Sequence, residues 1–248
     1  MTPALAKYIG DNFTMVTHIE TDDEVSSGFD ATVWKDNATG KLTVSMRGSE
    51  GRQDFWTNYK LTLLTNAGQQ IIDMANWWLK ITTPEGQQAR QIGHTVIALS
   101  GLVSAGSSVP GTGLVNAADI ALGIDVNGHS LGGYLATAFT RLFGIQANVS
   151  HTSTFNSAGF TPRSEEAFTN LQNLVGPEHG LGRFPNASEQ TNYFAANGLN
   201  VATNWQSSRA ADYAAWQSDK SAASRQTAKY LFDSKKLATN NAYWEIAA

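Results

Sequence analysis

The 248-residue sequence predicts a single α/β domain with a mainly parallel central sheet and helices on both of its faces. Two observations carry this prediction. Runs of β-forming residues alternate along the chain with segments of helical periodicity, and strands that alternate with helices pair in parallel. Hydrophobic residues make up 42% of the chain, which is enough for one large buried core.

The first predicted element is a β-hairpin. Residues 29–35 and 41–47 each alternate between apolar and polar residues, and a turn-forming stretch at 36–40 (DNATG) separates them. A helix is predicted over 66–81, where apolar residues recur every three to four positions. We expect this helix to cover one face of the sheet.

A loop rich in glycine, serine and apolar residues is predicted at 100–113. Such a segment either connects two elements or, as a mobile apolar flap, gates a site for lipid, and both interpretations stay open. The stretch at about 95–113 is therefore predicted to be flexible and lid-like.

The second half of the chain continues the alternation of helices and strands. In order, the sequence predicts a short helix at 114–122, a strand at 123–127, a helix at 134–143, a strand at 149–155, a short apolar run at 193–196 and a helical C-terminal tail at about 205–248.

The composition excludes several classes of function. Only 15% of the residues are charged and no basic run occurs, so we expect no nucleic-acid partner. The chain has no cysteine and no cluster of histidines and carboxylates at ligand spacing, so no metal and no cofactor is predicted. No apolar run reaches the roughly 18 residues of a spanning helix, and no Sec signal peptide is visible. The compartment stays open, and secretion by another route is compatible with the sequence.

The motif that carries chemistry is Gly-x-Ser-x-Gly at residues 128–132 (GHSLG). In this pattern the serine occupies a tight, strained turn between a strand and a helix. The glycines lack a Cβ atom, so neighbouring segments of the backbone can approach the turn closely. The helix then directs its free N–H groups and partial positive charge at the reacting oxygen. The five letters alone arise easily by chance. Their position between a predicted strand and a predicted helix is what predicts Ser130 as a nucleophile.

Three segments together resemble the class 3 (fungal-type) lipases and their bacterial relatives. They are 126–136 (VNGHSLGGYLA), 42–49 (LTVSMRGS) with 54–58 (DFWTN), and more loosely 154–159 (TFNSAG). The matches follow the order of that family and cover about residues 29–160. The resemblance implies an α/β-hydrolase fold and cleavage of carboxylic esters.

The resemblance also implies roles for two further residues. Ser49 matches the oxyanion-hole position after the Arg-Gly turn, and Leu131 matches the residue whose backbone N–H is the second donor. Without the resemblance, Ser49 would be an ordinary turn serine.

The catalytic base is less well indicated. A serine nucleophile needs a base, usually a histidine oriented by a carboxylate, and in this fold the chain order is serine, acid, histidine. The histidines are His18, His94, His129, His151 and His179, so none lies in residues 180–248, where the family places its own.

We predict His179 as the base, with Glu178 as a candidate acid behind it, and the alternative is a solvated loop histidine. His151 is expected near the start of its strand, away from the active edge, and His129 is expected to pack beside the elbow and point away from the serine. His18 and His94 are remote in chain order.

The acid is not evident either, because the residues that follow the 191–196 segment carry no carboxylate. Three explanations stay open. The chain uses a rearranged triad, or it is part of a longer protein that carries the base, or it is a degenerate family member with little turnover.

The leading hypothesis is a lipase or carboxylesterase that acts on a lipid or another ester, with transient contact to a lipid surface as an open feature. Phospholipase A1, acyltransferase and amidase activities would use the same nucleophile. The alternative from another class is a catalytically impaired module that retains the elbow and acts in binding. The oligomeric state is not indicated.

Overall fold

A computed structural model of the chain describes residues 2–21, 27–48, 55–93, 104–157, 164–176, 184–186, 188–194 and 238–239. The helices in these ranges are α1 (Pro3–Asn12), α2 (Phe55–Thr82), α3 (Ala117–Ala121), α4 (Leu131–Phe143) and α5 (Ser164–Val175). The strands are β1 (Phe13–Glu20), β2 (Asp30–Asp36), β3 (Leu42–Met46), β4 (Gln88–Ala89), β5 (Ile92–Gly93), β6 (Ser104–Ala105), β7 (Val109–Pro110), β8 (Ile124–His129), β9 (Val149–Phe155), β10 (Gln190–Phe194) and β11 (Ala238–Thr239).

Seven strands form one sheet in the order β1-β2-β3-β8-β9-β10-β11. The pairings from β3 through β8 and β9 to β10 are parallel, whereas β1, β2 and β11 add antiparallel edges. The protein is thus a mixed α/β protein whose central strands are parallel, as the alternation of elements predicted. Since β8 lies in the middle of the sheet, the residue that follows it stands at the centre of the carboxyl edge.

The predicted hairpin is confirmed, because β2 and β3 pair in antiparallel register. Its turn is held by the Asp36 carboxylate, which accepts hydrogen bonds from the backbone N–H groups of Ala38 and Thr39. Gly40 closes the turn at φ 74, a conformation that favours glycine. The Thr39 backbone N–H, together with the Thr39 hydroxyl, lowers the pKa of Asp36.

Helix α4 is the centre of the core, and all of its residues are buried. One side of the helix packs on β3, β8 and β9, and the other side packs on α2 and α5. Aromatic rings join the layers: Trp78 of α2 meets Phe139 of α4 edge to face, with ring centroids 4.8 Å apart. The indole N–H of Trp78 donates to Gln146 Oε1 at 3.0 Å, so this large buried side chain has no unsatisfied donor.

Helices on both faces of the sheet were predicted, but α2, α4 and α5 lie on the same face, because both outer helices contact α4. The apolar side chains of the central strands point to that face. The other face is lined by polar, half-buried residues, namely Thr43, Ser45, Asp125, Asn127, His151 and Ser153. Strands that alternate in this way need an apolar layer on one side only. In the described ranges, the prediction therefore holds for one face.

Two further predicted segments are described only in part. Residues 104–113 of the lid-like segment contain β6 and β7, which pair with β5 and β4, and the Gly111 and Gly113 N–H groups donate to Gln87 O and Thr83 O at 2.8 Å. This part is bonded to the chain that follows α2, and residues 95–103 lie outside the described residues. In the tail predicted as helical, residues 238–239 form strand β11 against β10, and the rest of the tail is likewise not described.

The described helices include none that is long and apolar enough to cross a bilayer.

Candidate active site

Ser130 occupies the turn between β8 and α4, and its backbone has an unusual conformation. Its φ is 55° and its ψ is −121°, a region that L-residues rarely adopt. Such strain costs about 1–3 kcal/mol and persists where the surrounding structure imposes it. Ser130 is half-buried at the end of the central strand. The turn predicted from the Gly-x-Ser-x-Gly pattern is therefore present.

The two glycines of the motif allow close contact between backbone segments. A Cβ atom on Gly128 would lie 2.1 Å from Gly132 O, and one on Gly132 would lie 2.2 Å from Met46 O. Both distances are far below van der Waals contact, so neither position accepts a side chain without a shift of the backbone. The glycines are explained by the tightness of the turn and by its contact with the end of β3.

The three segments that resemble class 3 lipases meet around Ser130. A Cβ atom on Gly48, two residues after β3, would lie 2.7 Å from His129 O and 3.2 Å from Ser130 Cβ. On the other side, the Ser130 N–H donates to Phe155 O at the end of β9, at 2.9 Å. The chain after β3 and the end of β9 thus flank the turn, although the three segments are up to about 100 residues apart in sequence.

Of the two oxyanion donors predicted from the sequence, Leu131 is among the described residues and Ser49 is not. Leu131 is the first residue of α4, and the first N–H groups of a helix have no acceptor within the helix. The Ser130 side chain does not cap them. Leu131 directly follows Ser130 at the start of the helix, and its role as an oxyanion donor stays a prediction. Ser49 lies outside the described residues, but its neighbour Gly48 contacts the turn.

None of the three described histidines is hydrogen-bonded to Ser130. His151 pairs in register with Asp125, five residues before Ser130, which corresponds to about 16 Å along the strand. Its Nε2 lies 2.9 Å from Thr191 Oγ1. The expected position of His151, near the start of its strand, is confirmed.

His18 and His129 differ in their surroundings. His18 lies on β1, three strands away from β8, a separation of about 14 Å. His129 is exposed at the end of β8, so the expectation that it packs is wrong. Its side chain lies on the polar face of the sheet, where no described helix packs on it. The predicted base His179, its neighbour Glu178 and His94 lie outside the described residues.

The described residues bring together one group of potential metal ligands, which sequence reasoning missed. Atoms of His18, Glu20 and Asp30 lie within 4.8 Å of one another at the carboxyl side of the sheet. However, the Arg47 guanidinium contacts both carboxylates, with Nε 2.7 Å from Asp30 Oδ2 and Nη2 3.1 Å from Glu20 Oε1. We interpret the group as an ion-pair network. Its members lie on β1, on β2 and directly after β3, so no local sequence pattern reveals it.

Tyr134 lies in the first turn of α4. Burial of its ring raises the pKa of its hydroxyl well above the usual value, so the group is neutral over the whole physiological range. Helix α4 therefore has no ionised side chain in its first turn, and the free N–H groups give this end of the helix, beside Ser130, a partial positive charge.

Comparisons with known proteins add little to this geometry. No protein-family model matches the chain, and no curated protein matches it. Among solved structures, the chain is similar to a triacylglycerol lipase from Penicillium expansum, with 14% sequence identity and a TM-score of 0.31. The likeness covers 77% of this chain and 72% of that one. A similarity of this degree does not establish an activity, so the proposal below rests on the geometry around Ser130.

Proposed function

We propose that this chain has an α/β-hydrolase fold and is a serine hydrolase that cleaves carboxylic ester bonds of lipids. The observation that supports this most directly is the strained turn at residue 130. It presents a half-buried hydroxyl at the carboxyl edge of a parallel sheet, beside the first N–H of a buried helix. Strain at a single non-glycine residue is typical of functional sites, because a packing role alone does not require it.

The proposed reaction begins with attack of Ser130 Oγ on the carbonyl carbon of the ester. The negative charge that forms on the carbonyl oxygen is stabilised by the Leu131 N–H and by a donor at Ser49. The alcohol leaves with a proton, and water then hydrolyses the acyl-enzyme to release the acid. We assign the transfer of protons to His179, because no described histidine is hydrogen-bonded to Ser130 and His179 follows Ser130 in the order that this fold uses.

A poorly soluble ester as substrate is supported by two features. The chain has few charges, 15% of its residues, and an aromatic side chain is exposed next to the turn. Phe155, 42% exposed, stacks on Tyr193 at a centroid distance of 4.9 Å. Apolar surface at the edge of the site suits an acyl chain, and transient contact with a lipid surface belongs to the same proposal. Phospholipids are an equally suitable class of substrate.

A second function is favoured by one observation. No described histidine is hydrogen-bonded to Ser130, so a module that retains the turn but binds esters without turnover is the alternative.

The two functions are separated by hydrolysis of p-nitrophenyl butyrate and of an emulsified triacylglycerol. We expect the wild type to hydrolyse at least one of them and Ser130→Ala to lose roughly 10⁴-fold or more in kcat. The matched control is Ser153→Ala, which removes a half-buried serine from the neighbouring strand β9 and should leave kcat unchanged. His179→Ala should lose about as much as Ser130→Ala if it is the base. Absence of wild-type hydrolysis would favour the binding module.

A further inference from the structure

We propose that Arg47 is a positioning residue that holds the chain after β3, at Gly48, against the nucleophile turn and thereby keeps the backbone around Ser130 in its reactive geometry. The inference rests on the proposed function, because it assigns a task within that site. Arg47 follows the last residue of β3 and precedes the Gly48–Ser49 dipeptide of the predicted oxyanion turn.

Arg47 is bonded to the sheet through both its backbone and its side chain. Its backbone N–H donates to Asp30 O at 3.1 Å. Its Nε lies 2.7 Å from Asp30 Oδ2, and its Nη2 lies 3.1 Å from Glu20 Oε1. The guanidinium therefore joins the ends of three adjacent strands, β1, β2 and β3, at the edge where Ser130 stands.

The central contact of this network is sheltered from solvent. The Asp30 side chain is only 8% exposed, while that of Arg47 is 42% exposed. A sheltered, short contact between a guanidinium and a carboxylate is stronger and more directional than an ordinary surface ion pair. His18 Nδ1 lies 3.8 Å from Asp30 Oδ1 but only 2.9 Å from Thr32 Oγ1, so Arg47 is the partner that holds this carboxylate. The Asp30 carboxylate is thus held in place as an anchor.

The chain that Arg47 anchors contacts the nucleophile turn mainly through backbone atoms. Gly48 packs on the His129 carbonyl and Ser130 Cβ, and Gly132 packs on the carbonyl of Met46, the residue before Arg47. A shift of the chain at residue 47 would therefore move Gly48 relative to the His129 carbonyl and Ser130 Cβ, and with it the backbone of the nucleophile turn. Displacement of about 1 Å in a catalytic constellation can cost on the order of 100-fold in rate.

An arginine is suited to this task because its planar fork binds two carboxylates at once. Lysine would keep the charge but offers a single point contact. Arg47→Lys therefore tests the geometry of the fork with the charge retained. Glu20→Gln is a milder variant, since the Glu20 side chain is 58% exposed and its loss should not affect folding.

The experiment measures kcat and KM for p-nitrophenyl butyrate and the affinity for a trifluoromethyl ketone, which forms a tetrahedral adduct with the serine. For Arg47→Lys we expect kcat to fall by about 10- to 100-fold with KM within about twofold. The affinity for the ketone should fall by a similar factor, because the adduct requires the same donors. For Glu20→Gln we expect the same pattern with a loss of about two- to fivefold.

Lys35→Met is the matched control. Lys35 contacts Asp119 at 2.8 Å, and the side chains of this pair are 43% and 12% exposed, close to the values of the Arg47–Asp30 pair. The pair lies at the opposite end of β2, far from Ser130. We expect Lys35→Met to lower Tm to a similar extent as Arg47→Lys while kcat and ketone affinity stay at the wild-type values.

Two negative results are distinguishable. If the wild type is active and Arg47→Lys has the same kcat and ketone affinity, the proposed role of Arg47 is wrong and the hydrolase proposal stands. If Arg47→Lys does not fold, unchanged values in Glu20→Gln would have the same meaning. A wild type that neither hydrolyses esters nor binds the ketone would refute the proposed function and, with it, this inference.

Discussion

Glycine at position 130 should stabilise the protein relative to alanine, although glycine normally destabilises. Alanine keeps the Cβ atom of Ser130 and therefore the strain of φ 55°, whereas glycine adopts this conformation without a clash. The pair Ser130→Ala and Ser130→Gly isolates this strain, because both variants lack the hydroxyl.

The magnitude follows from two opposing terms. The strain of a non-glycine residue in such a region is about 1–3 kcal/mol. Glycine loses more backbone entropy on folding, which costs about 0.5–1 kcal/mol relative to alanine. We therefore expect the free energy of unfolding of Ser130→Gly to exceed that of Ser130→Ala by about 1 kcal/mol. In a chain of this size the corresponding difference in Tm is about 2–4 °C.

The control is the same pair of substitutions, Ser45→Ala and Ser45→Gly, in the neighbouring strand β3. At this half-buried strand position the order should be reversed, with glycine less stable by about 0.5–1 kcal/mol. Chemical denaturation of the four variants gives the difference between the two sites, which equals the strain at residue 130. A difference near zero would refute the strained turn and the argument for a nucleophile that depends on it.

Two further predictions concern the helix that follows the turn. Gly132→Ala should abolish the activity and lower Tm by several degrees, because its Cβ would lie 2.2 Å from a backbone carbonyl of β3. The control is Gly10→Ala, which should change neither activity nor Tm, because nothing lies within 4 Å of a Cβ atom at that position. Equal behaviour of the two variants would contradict the packing described. The second prediction concerns Tyr134, whose pKa in the folded state is raised above the unfolded value of about 10. The unfolded chain then loses its proton first, so this contribution to stability is complete below about pH 10 and is lost as the pH rises further. In denaturation at pH 8 to 11.5, Tyr134→Phe should lose less stability with pH than the wild type, and parallel curves would contradict the assignment.

The elements predicted correctly are those with local signals. The alternating residues on both sides of the 36–40 turn predicted strands β2 and β3. The glycines around Ser130 predicted that β8 ends and α4 begins at this turn. In both cases a turn fixes the chain within a few residues, so sequence and structure are connected at short range.

The features that were missed depend on contacts between distant parts of the chain. The network of Glu20, Asp30 and Arg47 joins three strands, and each residue alone has the appearance of a surface charge. The prediction of helices on both faces followed from the order of elements. The order does not show that the polar residues of β3, β8 and β9 all point to one face. The exposure of His129 follows from the same arrangement.

The reactivity of Ser130 tests the central claim most directly. The wild type, Ser130→Ala and Ser153→Ala would each be treated with a fluorophosphonate and analysed by intact mass and peptide mapping. We predict one adduct per chain in the wild type and in Ser153→Ala, on the peptide that contains Ser130, and none in Ser130→Ala. An unlabelled wild type at high probe concentration, or an adduct on another serine, would contradict a nucleophile at this turn.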